Sequence, residues 1–152
     1  MKKIRRFAGY INLKPINGVL YPSSIQNILM KDYVTKSIDG KFYLSPTEVL
    51  QAKYSVTLNT LLDSSVNVKG IVMLSAFSLP LDYKHRKDIY KKTILTKKEL
   101  HFIFDELIFK NKADIDKIEN QLIYRNNFFT KTWTKISENE LPLIKKFNHS
   151  FV

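Results

Sequence analysis

Three observations predict an α/β protein, a three-layer sandwich around a mainly parallel sheet of about four strands. The first is the stretch 68–80, VKGIVMLSAFSLP, whose Val68, Ile71, Val72, Met73 and Leu74 form a short, nearly continuous apolar run. A run of that length, rich in β-branched residues, suits a strand buried on both faces. The second is the alternation of such runs with stretches of helical period, which implies crossovers and a parallel sheet covered by helices on both sides. The third is composition: 152 residues, 44% apolar and 26% charged, enough for one domain with a real core.

Taken in order, residues 6–13 alternate loosely around Gly9-Tyr10 and predict strand one. Lys14-Pro15-Ile16-Asn17-Gly18 reads as a loop with an Asn-Gly turn. Pro22-Ser23-Ser24 opens a helix, with serine as its cap and Ile25, Ile28, Leu29 and Tyr33 as its apolar face. Asp39-Gly40 ends this unit, and residues 41–44 form strand two, with Ser45-Pro46-Thr47-Glu48 beyond it. Residues 54–62 make the second helix, 67–74 strand three, and 81–95 a strongly basic third helix buried through Ile89, Tyr90 and Ile94. Residues 100–104 are strand four, followed by Asp105-Glu106, and 113–124 are the fourth helix. The domain expected from this pattern is 1–124. Residues 125–152 form a C-terminal extension whose Phe128, Phe129 and Trp133 are too apolar for disorder and suit packing on the domain or on a second copy.

The absence of cysteine excludes disulfides, zinc thiolates and thiol catalysis. No apolar run approaches the roughly 20 residues of a membrane span, and the basic N-terminus lacks a cleavage-like pattern. A cytoplasmic protein is expected. Net charge is +11, concentrated in Lys2, Lys3, Arg5 and Arg6 and again over residues 84–98. That balance favours polyanions, anionic membrane surfaces or phosphorylated small molecules, although a solvated lysine face is the more economical account. No spacing matches a metal site, and no glycine-rich phosphate loop or GxSxG elbow occurs, so no cofactor is expected. His101, inside strand four, reads as a packed, hydrogen-bonded histidine.

In parallel sheets ligand groups gather just beyond the carboxyl ends of the strands. There the sequence offers Tyr10, Asn12 and Lys14 from strand one, Ser45, Thr47 and Glu48 from strand two, and Ser75 and Phe77 from strand three. Glu106 follows strand four, and Arg86 lies in the basic helix. Glu48, Glu106 and Ser75 are the candidates for acid–base or hydroxyl-binding work. Lys14 and Arg86 are the candidates for holding an anion. Capping and solvation are the competing roles for all of them.

Two resemblances follow. Gly9-Tyr10-Ile11, Gln26-Asn27, Lys31-Asp32-Tyr33, Leu44-Ser45, Thr47-Glu48, Gly70-Ile71-Val72, Ser75, Phe77, Leu79-Pro80, Arg86, Ile89-Tyr90, Glu99-Leu100-His101-Phe102, Glu106, Asp114 and Ile118-Glu119 carry the first. Over about residues 8–122 the chain resembles the small family named for its place in sporadic carbohydrate biosynthesis clusters of bacteria. That resemblance implies a role in making a surface polysaccharide or glycoconjugate and supplies no reaction. The second is a more distant similarity to the catalytic domain of serine recombinases, or resolvases, carried by the Gly-Tyr strand, the strand-three motif and its turn, and a fourth strand ending near a glutamate. It implies a resolvase-like, flavodoxin-like fold. It does not imply the activity. The recombinase pattern Tyr-x-Arg-Val-Ser reads Tyr10-Ile11-Asn12-Leu13-Lys14, without the arginine and the nucleophilic serine. The Asp-Arg-Leu-x-Arg turn reads Phe77-Ser78-Leu79-Pro80-Leu81.

The expected function is therefore binding or modification of a sugar or sugar nucleotide at the strand-end rim, in bacterial surface carbohydrate biosynthesis. One alternative is a non-catalytic scaffold or regulatory subunit that forms a homo-oligomer through its C-terminal tail. Another is a DNA-binding resolvase relative without recombinase activity, which charge alone recommends weakly.

Overall fold

The computed structural model describes residues 3–49 and 55–124. Strands β1 (Arg6–Gly9), β2 (Lys41–Phe42), β3 (Gly70–Met73), β4 (Glu99–Phe102) and β5 (Leu107–Phe109) form one sheet in the order β2-β1-β3-β4-β5. The first four are parallel and β5 is antiparallel to β4. Helices α1 (Ser23–Asp32), α2 (Val56–Leu61) and α3 (Tyr83–Leu95) alternate with them, and a further helix runs over 115–124. The chain divides into units Met1–Ile118 and Glu119–Val152. The described part of the second, 119–124, is helical. The expected extension 125–152, with Phe128, Phe129 and Trp133, lies outside the described residues.

β3 is the centre of the sheet, and every residue in it is buried. Alternate side chains divide between two cores. Phe7, Val72 and Leu74 meet Met30 and Val34 on the α1 side. On the other side Tyr90 of α3 packs on Phe109 of β5, ring centroids 5.0 Å apart. Helices thus cover both faces, and the three-layer α/β sandwich expected from the sequence is the fold observed. Gly70 is required by strand spacing: a Cβ there would stand 2.7 Å from the Glu99 carbonyl oxygen of the neighbouring strand.

The differences from expectation are local. The sheet has a fifth strand, because Leu107–Phe109 folds back on β4 across a tight turn in which Glu106 adopts φ +52°. Its three residues are too short to show a period. β2 shrinks to two residues, but the chain beyond it stays beside β1's continuation. The Gly9 N–H donates to Leu44 O, Ile11 N–H to Pro46 O, and Glu48 N–H to Ile11 O.

Helix α1 begins at Ser23 behind Pro22, with no side-chain cap, so the expected serine cap is not made. Its buried face is also turned from the expected one. Gln26 and Met30 are buried, and Leu29 and Tyr33 pack on the core as expected, while Ile25 and Ile28 are exposed. The reason is polar: the Gln26 amide donates to the carbonyls of Asn12 and Tyr21, both at 2.9 Å, and tethers the helix to the end of β1. In α3 the buried edge is Ile89, Tyr90 and Thr93, while Ile94 is half-exposed; the Thr93 hydroxyl donates to Ile89 O at 2.7 Å. The helix starts at Tyr83 because Asp82 caps it, accepting from Lys84 N–H at 3.0 Å. The Asn17-Gly18 turn forms as expected: both residues have positive φ, and Ile16 and Val19 exchange backbone hydrogen bonds.

Candidate functional site

The strand ends carry a continuous polar network. The Tyr10 hydroxyl donates to Glu48 Oε2 at 2.7 Å and accepts from Asn12 Nδ2 at 3.2 Å. The same amide nitrogen donates to Ser78 O at 3.1 Å, which joins the end of β1 to the turn after β3. Asn12 Oδ1 accepts from Lys14 N–H at 2.9 Å. Ser78 N–H returns to Ser75 O, and the Ser75 hydroxyl donates to Asp105 Oδ2 at 3.0 Å. Asp105 Oδ2 also accepts from Ala76 N–H at 2.6 Å. The rim is thus one chain of hydrogen bonds from β2's continuation to the end of β4.

Glu48 is held from several directions. Oε1 accepts from Val49 N–H and Thr57 N–H, each at 3.0 Å, and Oε2 accepts from Leu58 N–H at 3.4 Å. The carboxylate therefore closes the open amide end of α2 from the segment that precedes the helix. Burial by itself would raise its pKa. The N–H of Thr57, the Tyr10 hydroxyl and the N–H groups of Val49 and Leu58 outweigh that and hold it below the usual carboxylate range. Tyr10 is pushed the other way, first by burial and then by the Glu48 carboxylate beside it. Burial lowers the pKa of Lys14, against the opposing pull of Glu48, and its Nζ reaches toward Leu79 O at 3.5 Å.

Of the expected site residues, Tyr10, Asn12, Glu48 and Ser75 join this network directly, and Lys14 through its backbone. Phe77 joins through its N–H, which donates to Ser75 Oγ at 3.3 Å. Thr47 contributes its carbonyl, which accepts from the Thr57 hydroxyl at 3.3 Å. Ser45 instead donates to Asn27 Oδ1 at 2.6 Å, toward α1. Arg86 donates to the carbonyls of Pro80 at 3.0 Å and Leu81 at 2.6 Å, with its guanidinium over Tyr83. Glu106 is exposed on the β4–β5 turn, and the carboxylate that meets Ser75 is Asp105.

A cleft of about 430 Å³ adjoins the network between α2 and α3. Its polar groups are Ser55, Asn59, Lys84, His85 and Asp88, and Pro80 and Ile89 complete its wall. Ser55 is the residue before α2, two before the Thr57 amide that Glu48 holds; Pro80 follows Leu79, toward which Lys14 reaches. Sequence reading passed over Asn59 and Asp88, because each sits among solvated helix residues with no pattern to mark it.

Away from the rim, His101 is buried and bonded at both ring nitrogens, as its place in β4 suggested. Nδ1 lies 2.9 Å from the Tyr33 hydroxyl and Nε2 2.9 Å from Glu99 Oε2. Burial lowers its pKa more than the Glu99 carboxylate raises it, so the ring is neutral at pH 7, accepting from Tyr33 and donating to Glu99.

No protein-family model and no curated protein matches the chain. Among solved structures it is similar to the N-terminal catalytic domain of TP901-1 integrase, with a TM-score of 0.55 and 11% identity over 91% of this chain and 98% of that one. The fold is therefore resolvase-like. The resemblance to carbohydrate-cluster proteins rests on the residues quoted for it alone. Among the described residues no helix is long and apolar enough to cross a membrane.

Proposed function

We propose that this protein binds a sugar or sugar nucleotide at the rim, in the cleft between α2 and α3, and that it serves bacterial surface carbohydrate biosynthesis. The observation that carries the reading is the set of groups around that cleft: a lysine, a carboxylate and an amide, Lys84, Asp88 and Asn59, around about 430 Å³ beside a rigid hydrogen-bonded rim. Carboxylate and amide groups suit sugar hydroxyls, and an ammonium suits a phosphate. Lys14, at the position of the recombinase serine, adds a second cation nearby. Glu48 and Ser75 act from behind the surface, fixing Tyr10 and Asp105, and the carboxylate open to a ligand is Asp88.

Titration calorimetry of the whole chain against a panel of free sugars and sugar nucleotides tests this. Asp88→Asn and Lys84→Ala, both at exposed positions, are expected to weaken the best ligand about tenfold, or about 1.4 kcal/mol, without lowering the melting temperature. Failure of every sugar and sugar nucleotide to bind at millimolar concentration refutes the reading.

The rival reading, a DNA-binding resolvase relative without recombinase activity, draws on the fold and on the exposed Lys84, Lys87 and Lys91 of α3. It requires binding to duplex DNA that weakens steeply with salt. A scaffold that oligomerises through the tail rests on residues outside those described.

A further inference from the structure

At the end of the sheet opposite the rim, where β1 and β3 enter it, lies an open groove of about 900 Å³. Its charged lining among the described residues is Lys3, Arg5, Arg6 and Lys69, with no carboxylate among them. Two of these cations sit on neighbouring backbones, since Lys69 N–H donates to Arg6 O at 2.7 Å. On its other side Arg6 stands in register with Lys41 of β2. Neighbouring strands are about 4.8 Å apart, so three positively charged residues occupy successive positions across this end of the sheet.

Their charge is little offset within the protein. Arg5 donates to Ile38 O at 2.6 Å, and Lys69 Nζ is 3.5 Å from Glu99 Oε1. Lys3, Arg6 and Lys41 make no side-chain hydrogen bond or ion pair among the described residues. The same groove has an apolar side: Ile4, 71% exposed, with the buried Val68 behind it.

We propose that this groove binds an organic oligophosphate, by class a nucleoside di- or triphosphate. Its phosphates lie on Arg6 and Lys69, and its flat ring covers Ile4. The arginine fork matches two phosphate oxygens at once, and lysine adds a point charge. The volume lies within the range of about 300–1,000 Å³ common for small-molecule sites. A bare inorganic ion would satisfy the charge and leave Ile4 uncovered. The site is separate from the rim cleft and does not depend on the reading given to that cleft.

Titration calorimetry on the full chain at low salt, with adenosine triphosphate and inorganic tripolyphosphate as probes, tests the assignment. Both are expected to bind, the nucleotide more tightly. Arg6→Gln is expected to weaken both about tenfold, and the pair Lys87→Gln and Lys91→Gln on α3 to weaken neither. Arg6 is exposed and makes no side-chain pairing among the described residues, so circular dichroism should show an unchanged fold; if it does not, Lys3→Gln serves the same comparison. Absence of binding by both probes overturns the proposal, as does loss of binding in the α3 variant with retention in Arg6→Gln. Tripolyphosphate binding as tightly as the nucleotide overturns the assignment of Ile4 to a ring.

Discussion

Replacing Glu48 by alanine is the most direct probe of what holds the rim. The side chain accepts hydrogen bonds from Val49, Thr57 and Leu58 N–H and from the Tyr10 hydroxyl. The amide groups at the start of α2 can turn to water when it is removed. The Tyr10 side chain, fully buried, cannot do so readily. A buried donor stripped of its acceptor costs about 1–3 kcal/mol, and hydrogen bonds to a charged group contribute about 1.5–3 kcal/mol. Allowing for partial replacement by water, Glu48→Ala is expected to cost about 3 kcal/mol. In a chain of this length that lowers the melting temperature by about 6–12 °C.

The assay is thermal and urea unfolding of Glu48→Ala, Tyr10→Phe and the double variant. The cycle should show a coupling of about 1–2 kcal/mol between two residues sharing one short bond. The pH dependence gives a second reading. Glu48 has a folded-state pKa below its ordinary value of 4.5. Its contribution is therefore complete above that value and is lost as pH falls through the lower folded-state value. The stability gap between wild type and Glu48→Gln should be constant at neutral pH and shrink on acidification below about 4.5. A melting shift under about 2 °C together with no coupling would mean that the carboxylate fills no structural role, and the account of the rim fails.

Two further outcomes follow from the sheet. Gly70→Ala should cost about 1–3 kcal/mol in urea unfolding, because its Cβ would meet the backbone of β4 at Glu99, which cannot move without breaking the ladder; a neutral result would contradict the observed strand spacing. His101 has its pKa lowered, first by burial in an enclosure formed with Glu99 and Tyr33, against the opposing pull of the Glu99 carboxylate, with the like charges of Lys110 and Arg5 lowering it further. Its folded-state value is below the ordinary 6.5, so stability is full above pH 6.5 and declines as pH falls below it. His101→Gln should flatten the slope of stability against pH just below 6.5, and an unaltered slope would show the ring free to charge.

Some features were legible in the chain itself because they depend on local chemistry. The buried strand over 70–73 follows from an unbroken apolar run, and the Asn17-Gly18 turn from two residues that accept positive φ. The packed state of His101 follows from its place between apolar neighbours in a strand. The alternation of strands and helices was enough to reach a parallel, helix-covered sheet. At the rim, the sequence could say which residues stand beyond the strands, since that depends only on order along the chain.

What each of those residues does was settled by packing. Glu48 turns to the start of α2, and Asp105 rather than its neighbour Glu106 meets Ser75. Those choices depend on how β2's continuation runs beside β1 and how the β4–β5 turn is wound. Gln26 shifts the expected face of α1 for the same kind of reason, displacing Ile25 and Ile28 while Leu29 and Tyr33 still pack inward: its partners are carbonyls contributed by other segments. Hydrophobic burial is nearly indifferent to direction, so a pattern of apolar residues fixes the layers. Hydrogen bonds demand a partner at a given distance and angle, and those partners exist only once the layers have been assembled.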